Sequence, residues 1–386
     1  MFNKFRISSN EACPCDSGKK YADCCKRKSN RAFRNNNEMM NYIGKLLKKS
    51  KRRLCLYNGC EQKGKNIIKA HAMQENRILN KLAVDGIVKM QNFDKDPVIL
   101  EIKRNKPEPF YFLSDVPITK ATAATCFCKT HDDALFAKIE KSQYDLQTLD
   151  DEQKFLFAYK TFSFELYTQL SAIRFNKLMI SNVPQVARNP FVVYQYRTQC
   201  EKLLDLKNYQ DFFEEGIKKR NFSELETITI EVPFQIMFSN YMAISPPFDI
   251  EGEKVKAFDK KNKRLKFMFF TSFPVDNKSY LLISALERDM KYFSAFFNKI
   301  KKAPASLIQY YLNVVIPLYS QNLIISPRLW QSWGEVAQCA VQHAVADPHS
   351  SKLMAGLKMN LKSIAKEHSV DEINSGQLIF DFFKNI

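Results

Sequence analysis

Apolar residues recur at mixed three- and four-residue steps from about position 152 to 180, among them Phe155, Phe157, Tyr159, Phe162, Phe164, Leu166 and Leu170. That spacing predicts a long helix. Pro184 and Pro190 end it, because proline removes a backbone donor and collides with the preceding turn. A second helical pattern covers about 191–220 and closes on Lys218, Lys219 and Arg220. Strand signals follow. Residues 227–232 and 265–270 alternate, and residues 279–286 read as the partner of the latter across the turn 273–278. Helices are expected from Glu287 to the C-terminus, with Ser326-Pro327 starting one of them.

Nearer the N-terminus, Phe33, Met40, Ile43, Leu46 and Leu47 form a partial apolar stripe among Arg and Lys. It predicts a basic helix within 31–54, closed by the run 48–53. Residues 55–150 hold short strand signals between two Cys/His groups. The whole reads as α+β: two small modules, then a larger mixed helix and antiparallel-sheet domain. The expected segments are 1–30, 31–54, 55–150 and 151–386. The longest uncharged stretch, 303–327, is interrupted by polar residues and prolines. Leu307, Tyr311, Val315 and Tyr319 recur there at four-residue spacing, which indicates a packed helix rather than a membrane span.

Composition adds three constraints. The 386 residues are 45% hydrophobic, with 31 Phe and 16 Tyr, enough to exclude a disordered chain. The opening MFNKFRISSN lacks an apolar signal core, so a cytoplasmic location is expected. Eight of the ten cysteines lie in the first 128 residues, and clustered cysteines in a reducing compartment point to metal. Cys200 and Cys339 are expected to be ordinary buried thiols. Charge is uneven: residues 1–69 hold 18 Lys+Arg against 5 Asp+Glu, a net of +13 out of +18 for the chain. A basic end of this kind implies a polyanionic partner, with DNA or RNA foremost.

Cys13-Pro14-Cys15 and Cys24-Cys25 flank the turn residues Ser17-Gly18 and the lysines 19 and 20. Four soft thiolates at this spacing suit tetrahedral Zn2+. The segment 10–25, with Asn10, Ser17-Gly18, Lys20 and Tyr21, resembles the SEC-C motif. That zinc knuckle ends the preprotein-translocase motor ATPase and is appended to many unrelated proteins. The resemblance implies zinc at Cys13, Cys15, Cys24 and Cys25, and a docking element for protein or nucleic acid.

A second set pairs Cys55 and Cys60 with the distant Cys128 and His131. The residues are zinc ligands by type, and the later pair reads as a helix start, with Thr130 able to cap and Asp132 and Asp133 at the positive end. Segment 55–140 resembles the HNH/treble-clef superfamily. It also resembles uncharacterised bacterial proteins in the order Cys pair, Ala70-His71-Ala72-Met73-Gln74, then Phe127-Cys128 through Ile139-Glu140. The superfamily resemblance implies a general base at His71 and, at Asp132, a ligand for catalytic Mg2+ or Mn2+. Ala70 stands where the family often has Asp, and Asp132 where it has His. The family's middle Asn has four candidates: Asn76, Asn80, Asn92 and Asn105. On the residues alone, a structural His71 and a helix-start Asp132 are the plainer reading, and His71 also suits zinc as a ligand.

Residues 151–386 carry no Gly-rich phosphate loop and no nucleophile signature, and His343, His349 and His368 fall in no catalytic spacing. Two functions follow: a zinc- and nucleic-acid-binding protein with an HNH-like nuclease module, active or degenerate, or a non-enzymatic zinc adaptor for protein or RNA.

Overall fold

Asn35 starts the first helix: its side chain accepts from the Glu38 amide at 2.9 Å, while Glu38 Oε2 accepts from the Arg34 amide. The computed structural model describes residues 5–61, 65–91, 98–102, 106–110, 113–141, 148–320, 322–346 and 380–385. In chain order its elements begin with α1 (Asn36–Ser50), β1 (Ala70–His71), a π-helical turn (Glu75–Leu79) and α2 (Asn80–Leu82). Then come β2 (Ile87–Gln91), β3 (Val98–Ile102), β4 (Lys106–Phe110), β5 (Leu113–Pro117), β6 (Ala123–Ala124) and α3 (Lys129–Glu140). The long helices α4 (Asp151–Asn182) and α5 (Pro190–Lys219) lead to β7 (Leu225–Val232), β8 (Phe238–Ile244), β9 (Phe258–Asp259), β10 (Arg264–Leu265), β11 (Met268–Val275) and β12 (Lys278–Leu286). The chain continues through α6 (Met290–Lys302), α7 (Ala305–Tyr319), β13 (Ile324–Ile325), α8 (Pro327–Ser332) and α9 (Glu335–Ala346). This is the α+β class expected from the sequence.

Seven strands form one antiparallel sheet in the order β5-β2-β13-β8-β11-β12-β7. Segment 55–150 therefore supplies two strands to the sheet whose other five come from 151–386. The short β13 joins them, with Ile324 opposite Met90 on one side and Ser239 on the other. Both faces of the sheet are covered. Phe238, Met242, Met268, Phe270, Leu281 and Ile283 enter one apolar cluster with residues of α6, α7 and α9. Tyr241, Phe269, Phe273, Tyr280 and Leu282 enter the other with α4 and α5. Successive strand residues point to opposite faces, so covering both produces strands that are apolar throughout. The predicted strand at 265–270 is broken in the structure: Leu265 belongs to the small ribbon β9–β10, and the sheet strand resumes at Met268.

Helix α4 is about 48 Å long at 1.5 Å per residue and organises the N-terminal half of the chain. A capping box between Asp150 and Gln153 starts it. Its first half is buried nearly all round, from Phe155 to Tyr167, under the sheet and α3. Its last turns receive α1, through Leu46 packed with Met179 and Val183. The uncharged stretch near the C-terminus resolves into α7, with Leu307, Tyr311 and Val315 buried, followed by β13 and the start of α8. No helix among the described residues is long and apolar enough to cross a membrane.

Candidate metal centres

Turn geometry gathers the first four cysteines. Asp16 and Gly18 take positive φ values of 61° and 73°, which folds the chain back between the Cys pairs. The Cys13 amide donates to Lys19 O at 2.8 Å, and the Tyr21 amide to Glu11 O at 2.8 Å. Cys15 Sγ then lies 3.3 Å from Cys13 Sγ and 3.5 Å from Cys24 Sγ, and Cys24 and Cys25 are 4.0 Å apart. A tetrahedron with Zn–S of about 2.3 Å has edges of about 3.8 Å, so the four sulfurs fit one ion. Burial pushes the Cys13 and Cys25 thiols up. At Cys15 burial also pushes upward, but hydrogen bonding with Ser17, Cys13 and Cys24 outweighs it and brings the thiol down to about 6. Four thiolates held this closely need a cation among them. Ser17 Oγ donates to Cys24 Sγ at 3.2 Å, a support for the sulfur from outside the ligand set.

The knuckle is fastened to the rest of the chain. Tyr21, Cys13 and Cys25 pack with Ile180 of α4 and Ala187. Lys177 Nζ reaches both carboxylate oxygens of Asp16 at 2.6 and 2.7 Å, and Arg197 pairs with Glu11 at 2.7 Å.

The second set converges across 67 intervening residues because the two halves pair as backbone. The Leu54 and Leu56 amides donate to Thr125 O and Cys126 O. On the other side Ile68 donates to Phe127 O, and Ile67 bridges Cys128. Gly59, at φ 81°, makes the turn between Cys55 and Cys60. The ligand atoms of Cys55, Cys60, Cys128 and His131 all lie within 4.8 Å of one another. His131 Nδ1 is 3.0 Å from Cys128 Sγ and 3.5 Å from Cys55 Sγ, and Cys60 and Cys128 sulfurs are 4.0 Å apart. The Tyr57 ring stacks on the His131 ring at 4.3 Å and sets its plane. Burial pushes the Cys55 thiol up to about 12, so its ionisation also depends on a bound cation. Each set offers four protein ligands, the closed arrangement of a structural zinc site. The expected cap is corrected: Cys128, not Thr130, occupies the N-cap of α3, and no side chain caps it. The extended backbone at Cys128 serves the metal corner instead.

Neither His71 nor Asp132 belongs to a metal-ligating cluster among the described residues. His71 ends β1, paired with Ala123, and its Nδ1 donates to Ala121 O at 2.8 Å. Asp132 lies in the first turn of α3 with Oδ1 buried and without a hydrogen-bond partner among the described residues. Burial pushes its carboxyl up to about 6, against the attraction of Lys160. Of the Asn candidates, Asn80 is exposed at the start of α2, Asn76 lies in the π-helical turn, and Asn92 and Asn105 lie outside the described residues. His349 and His368 also lie outside them; His343 is exposed on α9. Cys339 is exposed rather than buried, on the solvent side of α9, and Cys200 is half-buried.

Gln74 and Glu140 have a structural role that spacing did not reveal. Gln74 Nε2 donates to Glu140 O at 2.8 Å, and the Glu140 carboxylate pairs with Lys160. A lysine within the apolar run 155–162 was the available signal. Gln74, Glu140, Lys160, Thr161, Tyr241 and Thr271 line a cavity of about 20 Å3, room for about one water and too small for a substrate.

The SEC-C motif matches residues 10–27 of this chain. No curated protein and no solved structure matches it.

Proposed function

We propose that this chain is a non-enzymatic zinc protein that binds nucleic acid, with two structural zinc ions holding a basic surface on the α4 scaffold. The observation that carries the reading is the two-sidedness of α1. Its apolar side is committed to Met179 and Val183, while Lys45, Lys48 and Lys49 are exposed and make no ion pair among the described residues. Unpaired cations on a fixed helix suit phosphate contacts. Lys51, Arg52 and Arg53 extend the exposed basic surface toward the second zinc site. Zinc at Cys13, Cys15, Cys24 and Cys25, and at Cys55, Cys60, Cys128 and His131, keeps both ends of that surface in place.

The test is binding of the zinc-loaded protein to labelled DNA and RNA across a salt series. Replacing Lys45, Lys48 and Lys49 by Gln removes three cations without disturbing the packed face. The slope of log K against log salt falls by about 2 to 3, at 0.7 to 0.9 per phosphate contact. An unchanged slope removes α1 from the interface. Absence of binding at low salt leaves the protein-adaptor reading, with the knuckle docking a protein.

A second reading follows from the unpartnered Oδ1 of Asp132. In it, 55–140 is an HNH-like module in which His71 activates water and Asp132 holds Mg2+ or Mn2+. Metal-dependent cleavage of plasmid or single-stranded substrate, lost in His71→Ala and in Asp132→Ala with both zinc ions retained, is its signature.

A further inference from the structure

The ribbon β9–β10 is a two-residue antiparallel pair whose faces differ. Arg264 lies opposite Asp259, and Leu265 opposite Phe258. The Asp259–Arg264 side turns inward: Asp259 is buried, and Arg264 Nε is 3.7 Å from Asp205 of α5. The other side turns outward, with Phe258 46% and Leu265 39% exposed. Only six large apolar side chains are exposed among the described residues, and these two face each other across one ribbon. Residues 254–266 hold seven Lys+Arg and one acidic residue. Lys254, Lys256, Lys260, Lys261 and Lys263 are exposed and make no ion pair among the described residues.

The turn that carries three of these lysines is held in shape. Asp259 Oδ1 accepts from the Lys261 and Asn262 amides at 3.0 and 3.2 Å, and Oδ2 accepts from Asn262 Nδ2 at 2.9 Å. Lys263 takes a positive φ of 54° to close it. Folding has no use for an exposed Phe–Leu pair ringed by unpaired lysines on an ordered turn. Chemically it combines an aromatic face with clustered cations, the two elements that hold unpaired bases and their phosphates. A lipid surface calls for a broad apolar face, and here only two side chains supply one. An acidic peptide uses the cations and leaves the ring unexplained.

We propose that the β9–β10 ribbon is a second nucleic-acid contact, specific for single strands, in which a base stacks on Phe258 and the backbone lies along Lys260, Lys261 and Lys263. This rests on the nucleic-acid reading above and places a contact some 200 residues away from the basic N-terminal segment.

The experiment measures anisotropy of a labelled 20-nucleotide single strand and of the matching duplex with full-length, zinc-loaded protein. Phe258→Ala weakens single-strand binding by roughly tenfold, the order expected for one lost stack, and leaves duplex binding unchanged. Phe258→Tyr, which keeps the aromatic face, retains wild-type binding. Replacing Lys260, Lys261 and Lys263 by Gln lowers the single-strand salt slope by about 2. Circular dichroism confirms that these surface variants are folded. Wild-type binding to the single strand with no effect of Phe258→Ala overturns this inference and leaves the α1 reading intact. Equal loss on single strand and duplex overturns its strand specificity. Failure of the wild type to bind either probe at low salt removes both readings together. Binding to vesicles of anionic phospholipid that depends on Phe258, with no binding to oligonucleotide, replaces nucleic acid by a membrane surface.

Discussion

Gln74 Nε2 donates to the backbone carbonyl of Glu140 across 2.8 Å. The bond closes the C-terminal end of α3 onto the chain just after β1. It ties the segment that follows the early Cys pair to the helix that follows the late Cys-His pair. Glu140 in turn pairs with the buried Lys160 of α4, so the module around the second Cys/His set is anchored to the scaffold at the end remote from those ligands.

That pair supports a stability prediction. Lys160 is buried and Glu140 largely so. Lys160→Met leaves the carboxylate without its partner and is expected to cost about 3 kcal/mol, since breaking a buried pair by one member costs about 3–5 kcal/mol and Glu140 keeps a solvent edge. Adding Glu140→Gln recovers much of the loss. Urea denaturation of the zinc-loaded protein measures both, and a single variant within about 0.5 kcal/mol of wild type would show the pair to be dispensable.

Metal analysis of purified protein is expected to find two zinc ions per chain. Cys13→Ser loses one and leaves the sheet domain folded. Cys128→Ser loses the other and also loosens the backbone pairing at Ile67, because Cys128 bridges it. A wild-type content of one ion or none removes one site or both.

Docking of the knuckle is expected to be separable from its metal. Ile180 of α4 is fully buried against the knuckle, and Ile180→Ala is expected to weaken the contact by about 2 kcal/mol or more. Hydrogen exchange within 10–27 speeds up while two zinc ions remain bound. Loss of zinc together with protection would make docking and metal binding one event.

Gly216 sits inside α5, where alanine ordinarily stabilises by about 1 kcal/mol. Here an added Cβ meets the Phe155 ring at 2.6 Å. Phe155 is fully buried and packs against Phe212, Phe213 and Phe222. Gly216→Ala is therefore expected to destabilise by about 1–3 kcal/mol. A raised melting temperature would contradict the packing described here.

Asp205 makes stability depend on pH. Burial pushes its carboxyl up to about 6, only partly offset by Arg264. Because the folded value exceeds the ordinary one, the fold favours the protonated form. Its contribution is complete below pH ~4 and is lost as pH rises through 6. Asp205→Asn removes that dependence, so its stability relative to wild type grows by on the order of 2 kcal/mol between pH 4 and 7. Parallel slopes for the two proteins over that range would assign the titration elsewhere.

Periodicity was sufficient for the long elements. The three- and four-residue steps over 152–180 became α4; Pro184 falls in the break after it, and Pro190 opens α5. A hairpin in this region of 265–286 was legible because alternation and a turn are local features, but its first strand was read too early: β11 runs Met268–Val275, and the turn is only residues 276–277, with Val275 opposite Lys278. Asp132 illustrates the limit. Its place in the first turn of a helix could be read from neighbouring residues, but its burial against Lys160 could not, since Lys160 lies 28 positions further on.

The sequence by itself was enough to mark the two Cys/His sets that could hold metal and the α+β class, because ligand chemistry and hydrophobic period are properties of residues and their near neighbours. Cys13, Cys15, Cys24 and Cys25 needed only a tight turn to meet. Tertiary structure alone decided which distant parts meet. It joined β2 and β5 to the large sheet through the two residues of β13, a contact set by strand register across more than 230 positions. It fastened the knuckle to Ile180 and Lys177, and it left Phe258 and Leu265 in solvent. Burial depends on what the rest of the chain brings to each surface, and no local pattern encodes that.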